Sequence, residues 1–151
     1  MLNARRYIIA IIASLLVFCV SSCCLFGRRE PPGEKVRMEV TGYCDCGQCC
    51  GYYRSCWTLW LIPYVSAGPN RGRRKKIGIT SDGRKAKVGT IAADIRKYPY
   101  GTRMYIPGYG WGEVHDIGSA IKGDHIDLFF NSHKEALKWG VKYLDITVIR
   151  K

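Results

Sequence analysis

Beyond residue 35, the chain alternates apolar and polar positions over short segments that glycine-rich turns separate. This period of two is typical of half-buried β-strands. One short helix is predicted to start at Ser132, because Glu135 stands three residues later as in a capping box. Many short strands, tight turns and one or two short helices indicate a mainly β fold closed into a compact barrel. The predicted strands are residues 36–43, 77–80, 88–94, 102–107, 111–116, 125–130 and 143–149.

The N-terminal part follows a different pattern, with two arginines ahead of a continuous apolar run at 7–20. A basic start and a short apolar run are typical of an export signal. Small residues before Cys23 resemble the bacterial lipobox, so we predict a lipoprotein signal peptide at 1–22 and lipidation of Cys23. A single transmembrane anchor and an ordinary secretory signal are the alternatives, although the run is short for a membrane span. Residues 30–35 are polar and rich in Pro and Gly, and residues 23–35 are predicted to be a tether.

The charge of the chain narrows the classes of partner. The sequence has 151 residues, 47% of them apolar, and a formal net charge of +12. This length corresponds to one small domain, and the charge favours an anionic neighbour such as nucleic acid, phospholipid or a cell-wall polymer. Because export is predicted, we expect no nucleic-acid partner.

A segment at 44–56 contains five cysteines. Disulfides are the default in an exported protein, and an odd number leaves one thiol unpaired within the segment. A zinc site built from four of the cysteines is one alternative, since Cys46 and Cys49 have metal-ligand spacing, and free thiols are the other. Our primary expectation is no bound metal, and the three histidines, which lack such spacing with one another, are interpreted as structural or surface residues. The disulfide candidates are Cys44, Cys46, Cys49, Cys50 and Cys56, and the alternative metal set is Cys44, Cys46, Cys49 and Cys50.

Residues 57–76 are predicted to be an insertion. An apolar, aromatic stretch at 57–65 is followed by five cations within 71–76. We favour a surface insertion with a solvated charge run and a local packing face. The alternative is a loop whose aromatic tip contacts lipid or sugar.

Three carboxylates do not look like surface charge. Asp94, Asp116 and Asp127 each lie in or at the end of a predicted strand. An ionised carboxylate in such a place is costly unless it has a partner or a task.

The motifs around these aspartates carry a specific resemblance. Gly-Thr-Ile-Ala-x-Asp is followed by Pro-x-Gly-Thr-x-x-Tyr-Ile-Pro-Gly-Tyr-Gly, then by Asp-x-Gly-x-Ala-Ile-Lys-Gly-x-x-Ile-Asp-Leu-Phe and Glu-Ala-x-x-Trp-Gly. This order resembles the 3D domain, a family named for its three aspartates and related to the barrel domain of membrane-bound lytic transglycosylase A and to stationary-phase survival proteins. The resemblance is close over 89–151 and loose over 36–151.

The resemblance implies a six-stranded double-psi β-barrel with the three aspartates at one cleft. It implies cleavage of the MurNAc–GlcNAc β-1,4 bond of peptidoglycan without water, leaving a 1,6-anhydro-muramyl end. By the family match, Asp127 is the general acid and base, Asp116 is its electrostatic partner and Asp94 positions them or binds substrate. Thr80 and Lys122 match positions for substrate binding.

The sequence thus predicts a cell-envelope lytic transglycosylase. It is expected to be a monomer without cofactor, tethered to the membrane by a lipid anchor, facing the periplasm or cell wall and bound to peptidoglycan glycan strands. A non-catalytic module that binds cell-wall glycan is the main alternative. An envelope scaffold that binds a partner through its basic loop and cysteines is a third.

Overall fold

A computed structural model describes residues 32–150. Eight strands and two helices form in this part of the chain, together with one 3₁₀ turn at Cys56–Thr58. The strands are β1 (Glu34–Tyr43), β2 (Tyr52–Arg54), β3 (Pro63–Val65), β4 (Thr90–Ala92), β5 (Arg103–Ile106), β6 (Gly110–Asp116), β7 (His125–Phe129) and β8 (Lys142–Ile149). The helices are α1 (Gly47–Cys50) and α2 (His133–Trp139).

Six of these strands close into a barrel in the order β1-β7-β4-β6-β5-β8. The pairs β1–β7 and β4–β6 are parallel, and the other four pairs are antiparallel. The prediction of a mainly β fold with a six-stranded barrel and short helices is confirmed, while the double-psi connection stays a prediction.

Alternating apolar side chains of the strands fill the barrel interior. Apolar side chains from every barrel strand are fully buried there, because every second residue of a strand points to the same face. The largest include Met38, Ile91, Met104, Val114, Leu128 and Ile146.

Helix α2 begins where the sequence predicted it. The Ser132 side chain accepts a hydrogen bond from the Glu135 amide at 3.2 Å, which satisfies a backbone donor at the start of the helix. The helix ends before Gly140, and its Ala136 is buried.

The prediction of a strand at 77–80 is wrong. These residues form turns, and their only described pairing is an isolated bridge from Ile79 to Lys85. Gly78 has a φ of 67°, a left-handed conformation that interrupts an extended strand.

The segment between β1 and β4 carries a small sheet outside the barrel. Strands β2 and β3 pair antiparallel, with Tyr53 opposite Tyr64. Between them lies an aromatic tip in which Trp57 is 93% exposed and Leu59 78% exposed. The insertion predicted at 57–76 therefore places part of its apolar stretch in a sheet and leaves most of the remainder exposed to solvent.

Several predictions fall on residues outside the described range. The signal peptide at 1–22, lipidation at Cys23 and most of the tether at 23–35 are among them. The described part of the tether already enters β1 at Glu34. Among residues 32–150, no helix combines the length and apolar character needed to cross a bilayer.

Candidate active site

Strand pairing brings two of the three predicted carboxylates to opposite sides of one residue. Ala92 of β4 pairs with Asp127 of antiparallel β7 and with Asp116 of parallel β6. Ile91 pairs with Val114, so a register shift between Ile91 and Ala92 places Asp116 opposite Ala92. The two carboxylates thus come from neighbouring positions on either side of β4.

Asp127 lies in an environment that favours its protonated form. The pKa of this carboxyl is raised from 3.8 to about 6, chiefly by burial and to a smaller extent by the charge of the nearby Asp116. Thr41 opposes the shift, because its hydroxyl donates a hydrogen bond to Asp127 Oδ1 at 3.0 Å. His125 Nε2 lies 3.0 Å from the same hydroxyl. The result is a carboxyl able to give and take a proton near neutral pH.

Asp116 is held by three donors. The Tyr43 hydroxyl donates to its Oδ2 at 3.1 Å, and the amides of Ser81 and Ile117 donate to its Oδ1 at 3.0 and 2.9 Å. Burial, together with Asp116 and Asp127, raises the pKa of Tyr43 far above its usual range, so the phenol stays protonated and donates. This carboxylate is fixed in position beside Asp127.

Both carboxylates line an open cleft of about 450 Å³. Its other walls come from the cysteine segment, from β3 and the residues after it, and from the loop between β6 and β7. Two other depressions, of about 540 and 500 Å³, contain no pair of carboxylates. The cleft residues include Tyr43, Cys49, Cys50, Gly51, Val65, Ser66, Lys75, Ile79, Ala92, Asp116, Ile117, Ser119, Ile121 and Asp127.

Asp94 lies elsewhere and has a different partner. It is not among the residues that line the cleft. Its carboxylate accepts two hydrogen bonds from the Arg96 guanidinium, at 3.1 and 3.0 Å, and one from the Gly123 amide at 3.3 Å. Arg96 holds the pKa of Asp94 well below its usual range. Asp94 joins the turn after β4 to the loop before β7.

The two predicted substrate-binding residues are not among the residues that line the cleft either. The buried Thr80 hydroxyl is 2.6 Å from Asp82 Oδ1 and accepts from the Arg84 amide at 3.0 Å, so it braces a turn. Lys122 is exposed in the loop between β6 and β7, and it is not a lining residue of the cleft. In contrast, Lys75 lines the cleft and donates a hydrogen bond to the Cys50 carbonyl.

The family model of the 3D domain matches residues 89–150. The predicted resemblance to the 3D domain is confirmed. The matched region holds β4 to β8 and all three aspartates, whereas β1, which completes the barrel, lies before it.

Two proteins of Bacillus subtilis (strain 168) are similar to part of this chain. Cell wall-binding protein YocH is 37% identical over 76 residues, 48% of this chain and 26% of that protein. Putative cell wall shaping protein YabE is 42% identical over 64 residues, 42% of this chain and 15% of that protein. The chain therefore matches about a quarter or less of the length of either relative.

Among solved structures, MltA from Escherichia coli is similar with a TM-score of 0.40 and 17% sequence identity. The similarity covers 52% of this chain and 30% of that one. A second crystal structure of MltA, described as a lytic transglycosylase fold, gives a TM-score of 0.39 at the same identity.

The two hydrogen-bond donors from β1 were not among the site residues predicted from the sequence. Thr41 and Tyr43 stand two residues apart on the first strand, so their side chains reach the same face and meet Asp127 and Asp116. The alternation of side chains along a strand is therefore the signal that places both hydroxyls on one face. What the sequence did not give is the parallel pairing of β1 with β7, which carries these hydroxyls to the carboxylates.

The five cysteines of 44–56 are free thiols in the structure. No disulfide joins them within the described residues. Three of them converge on His133, one of the histidines interpreted from sequence as structural or surface residues. The fourth member of the predicted metal set, Cys50, instead lines the cleft and donates to the Cys44 carbonyl at 3.1 Å.

Proposed function

We propose that this 3D domain is a lytic transglycosylase that cleaves the MurNAc–GlcNAc β-1,4 bond of peptidoglycan. The observation that carries the proposal is Asp127, a carboxyl with a pKa raised to about 6 on the wall of an open cleft. Such a pKa lets one group act as acid and then as base at neutral pH. The names of the two relatives, which refer to binding and shaping of the cell wall, support a cell-wall ligand and a location in the cell envelope.

The reaction needs one carboxyl that works twice. Protonated Asp127 gives its proton to the glycosidic oxygen while the bond from that oxygen to the muramyl C1 breaks. The resulting Asp127 carboxylate then takes the proton from the muramyl C6 hydroxyl, whose oxygen bonds to C1 and closes the 1,6-anhydro ring. Atoms balance without water, so a second carboxyl to activate water, as in inverting hydrolysis, is not required.

Asp116 has the supporting role in this scheme. Its negative charge raises the pKa of Asp127 and favours the positive charge that develops at C1 when the glycosidic bond breaks. Tyr43, Ser81 and Ile117 fix its orientation, so it does not need to rearrange during the reaction. We assign Asp94 a positioning role, through the loop that precedes β7, rather than contact with substrate.

Digestion of purified peptidoglycan tests the proposal. The wild-type chain is expected to release muropeptides with 1,6-anhydro ends, and Asp127→Asn is expected to lower their yield by about 100-fold or more, since a general acid typically contributes 10²- to 10⁴-fold. Mass spectrometry of the products reads both the yield and the end group. Reducing ends in place of anhydro ends would contradict the ring-closure step.

A non-catalytic glycan-binding module is the second candidate, favoured by the name cell wall-binding protein of one relative. The same experiment separates the two. In one outcome, both wild type and Asp127→Asn sediment with insoluble peptidoglycan, and neither releases a soluble product. This outcome would support the binding module and contradict the enzyme proposal.

A further inference from the structure

Four side chains from two distant parts of the chain meet outside the carboxylate pair. We call Cys44, Cys46, Cys49 and His133 the ligand cluster; their sulfur and nitrogen atoms all lie within 4.8 Å of one another. Cys44 is buried and the other three are half-buried. We propose that the ligand cluster binds one zinc ion through three thiolates and the imidazole Nδ1.

The fold delivers these side chains by strand pairing. Parallel pairing of β1 with β7 runs to Tyr43 opposite Phe129, and the Phe130 amide donates to the Tyr43 carbonyl at 2.7 Å. The two chain segments therefore leave the barrel side by side. One turns directly into Cys44 and α1, and the other reaches His133 at the first position of α2.

Three ligand-to-ligand separations in the structure fit a tetrahedral metal. With Zn–S bonds of about 2.3 Å and Zn–N bonds of about 2.0–2.1 Å, the edges of a tetrahedron are about 3.8 Å between sulfurs and about 3.5 Å from sulfur to nitrogen. In the structure, Cys44 Sγ and Cys49 Sγ are 3.7 Å apart. His133 Nδ1 lies 3.6 Å from Cys46 Sγ and 3.3 Å from Cys49 Sγ. A disulfide would require about 2.05 Å between the sulfurs.

The backbone around α1 also suits a metal-bound thiolate. Cys46 caps the helix, and the Cys49 amide donates to Cys46 Sγ at 3.5 Å. Gly51 ends the helix in the left-handed conformation, with a φ of 57°. Amide donors aimed at ligand sulfurs stabilise their negative charge and orient them toward the metal.

The donor set indicates which metal and which kind of site. Three thiolates and one imidazole are a combination that zinc accepts in closed, four-coordinate structural sites, with no position left for water. We therefore assign a structural role: the ion would join the end of β1 to the start of α2. It would also fix α1 and Gly51, which form one wall of the cleft.

Metal analysis of the full chain, purified in detergent under reducing conditions, tests the assignment. Elemental analysis is expected to find about one zinc per chain. X-ray absorption at the zinc edge is expected to give three sulfur neighbours and one nitrogen. This second measurement uses the unaltered chain, so it does not depend on a variant that fails to fold.

Matched variants identify the ligands. Cys46→Ser and His133→Asn are expected to weaken zinc affinity, in competition with a chelator, by more than the 10- to 100-fold that outer-shell contacts contribute. Cys50→Ser and Cys56→Ser are the controls, since neither sulfur belongs to the ligand cluster, and both are expected to keep the zinc. Thiol alkylation of each protein reports its disulfide content.

Three results would overturn the proposal. The first is a reduced chain without bound zinc that also takes up none from added zinc salt. The second is four sulfur neighbours, with zinc lost in Cys50→Ser and kept in His133→Asn, which would assign the all-cysteine set. The third is disulfides among the cluster cysteines that persist in the zinc-loaded chain.

Discussion

Asp94 and Asp127 belong to the same family pattern, but their surroundings act on them in opposite directions. Asp94 accepts two hydrogen bonds from the Arg96 guanidinium, which lowers its pKa. Asp127 accepts from the neutral Thr41 hydroxyl, and burial raises its pKa to about 6. Membership of a motif therefore does not assign a role to a carboxylate. Its nearest hydrogen-bond donor and its degree of burial determine its pKa, and the pKa limits the role that it can take.

The largest expected contrast is in activity. Asp127→Asn removes the proposed acid and is expected to reduce release of anhydro-muropeptides by at least about 100-fold, whereas Asp94→Asn is expected to stay within about tenfold of wild type. Thermal stability should rank the two variants the other way. Asp94→Asn deprives Arg96 and the Gly123 amide of an anionic acceptor and should lower Tm, while Asp127→Asn removes a half-buried carboxyl whose ionisation is costly.

Asp145→Asn is the control for this contrast, because Asp145 forms an exposed ion pair with Arg37 at 3.6 Å and should change neither property. Equal loss of activity in the Asp94 and Asp127 variants would mean that both carboxylates take part in the chemistry. The separate roles proposed for the two carboxylates would then be wrong.

The next effect is in the pH dependence of stability. The folded chain holds a proton on Asp127 up to about pH 6, whereas the unfolded chain releases it near 3.8. The free energy of unfolding contributed by this group therefore falls as pH rises from about 4 to 6, by up to about 2–3 kcal/mol. Asp94 acts in the opposite sense: its lowered pKa gives stability above the ordinary aspartate range, and this is lost as pH falls below it.

Urea unfolding of wild type and Asp127→Asn at several pH values measures this effect. The difference in unfolding free energy between the two proteins isolates Asp127 from the other titrating groups. We expect wild type to lose stability relative to the variant between pH 4 and pH 6. A pH-independent difference would show that Asp127 titrates alike in the folded and unfolded chains.

The smallest effect concerns the hydroxyl that opposes burial at Asp127. Thr41→Val removes the donor to Oδ1, so the pKa of Asp127 is expected to rise further, by about one unit or less. Carboxyl-carbon NMR titration reads the shift directly. Thr58→Val is the control, because the Thr58 hydroxyl donates to the Ser55 carbonyl outside the barrel. A fall in the pKa would contradict the assigned hydrogen bond.

Local sequence signals predicted much of the barrel. Alternation located the six barrel strands, and the capping box placed the start of α2, because both patterns reflect interactions within a few residues. The strand expected at 77–80 failed for a local reason too, since Gly78 adopts a left-handed conformation that apolar alternation does not reveal.

The site was less predictable, because its contacts are long-range. The carboxylates Asp116 and Asp127 stood out as charges at strand positions, and the cleft contains both. The sequence carries one signal for the separate role of Asp94, the cation Arg96 two residues later. The meeting of His133 with Cys46 had none, because it depends on how β1 pairs with β7.

The place of β1 in the barrel also has a consequence for folding. This strand pairs with β7 and β8, near the other end of the chain, so Glu34 meets Val148 and Tyr43 meets Phe129. The chain loses entropy when these distant segments come together, and it does so before their contacts have formed. Such topologies therefore fold slowly. Until β7 and β8 pair with it, β1 has two unpaired edges, and unpaired strand edges promote aggregation. A fragment limited to the family-matched region would lack this strand and leave the barrel open.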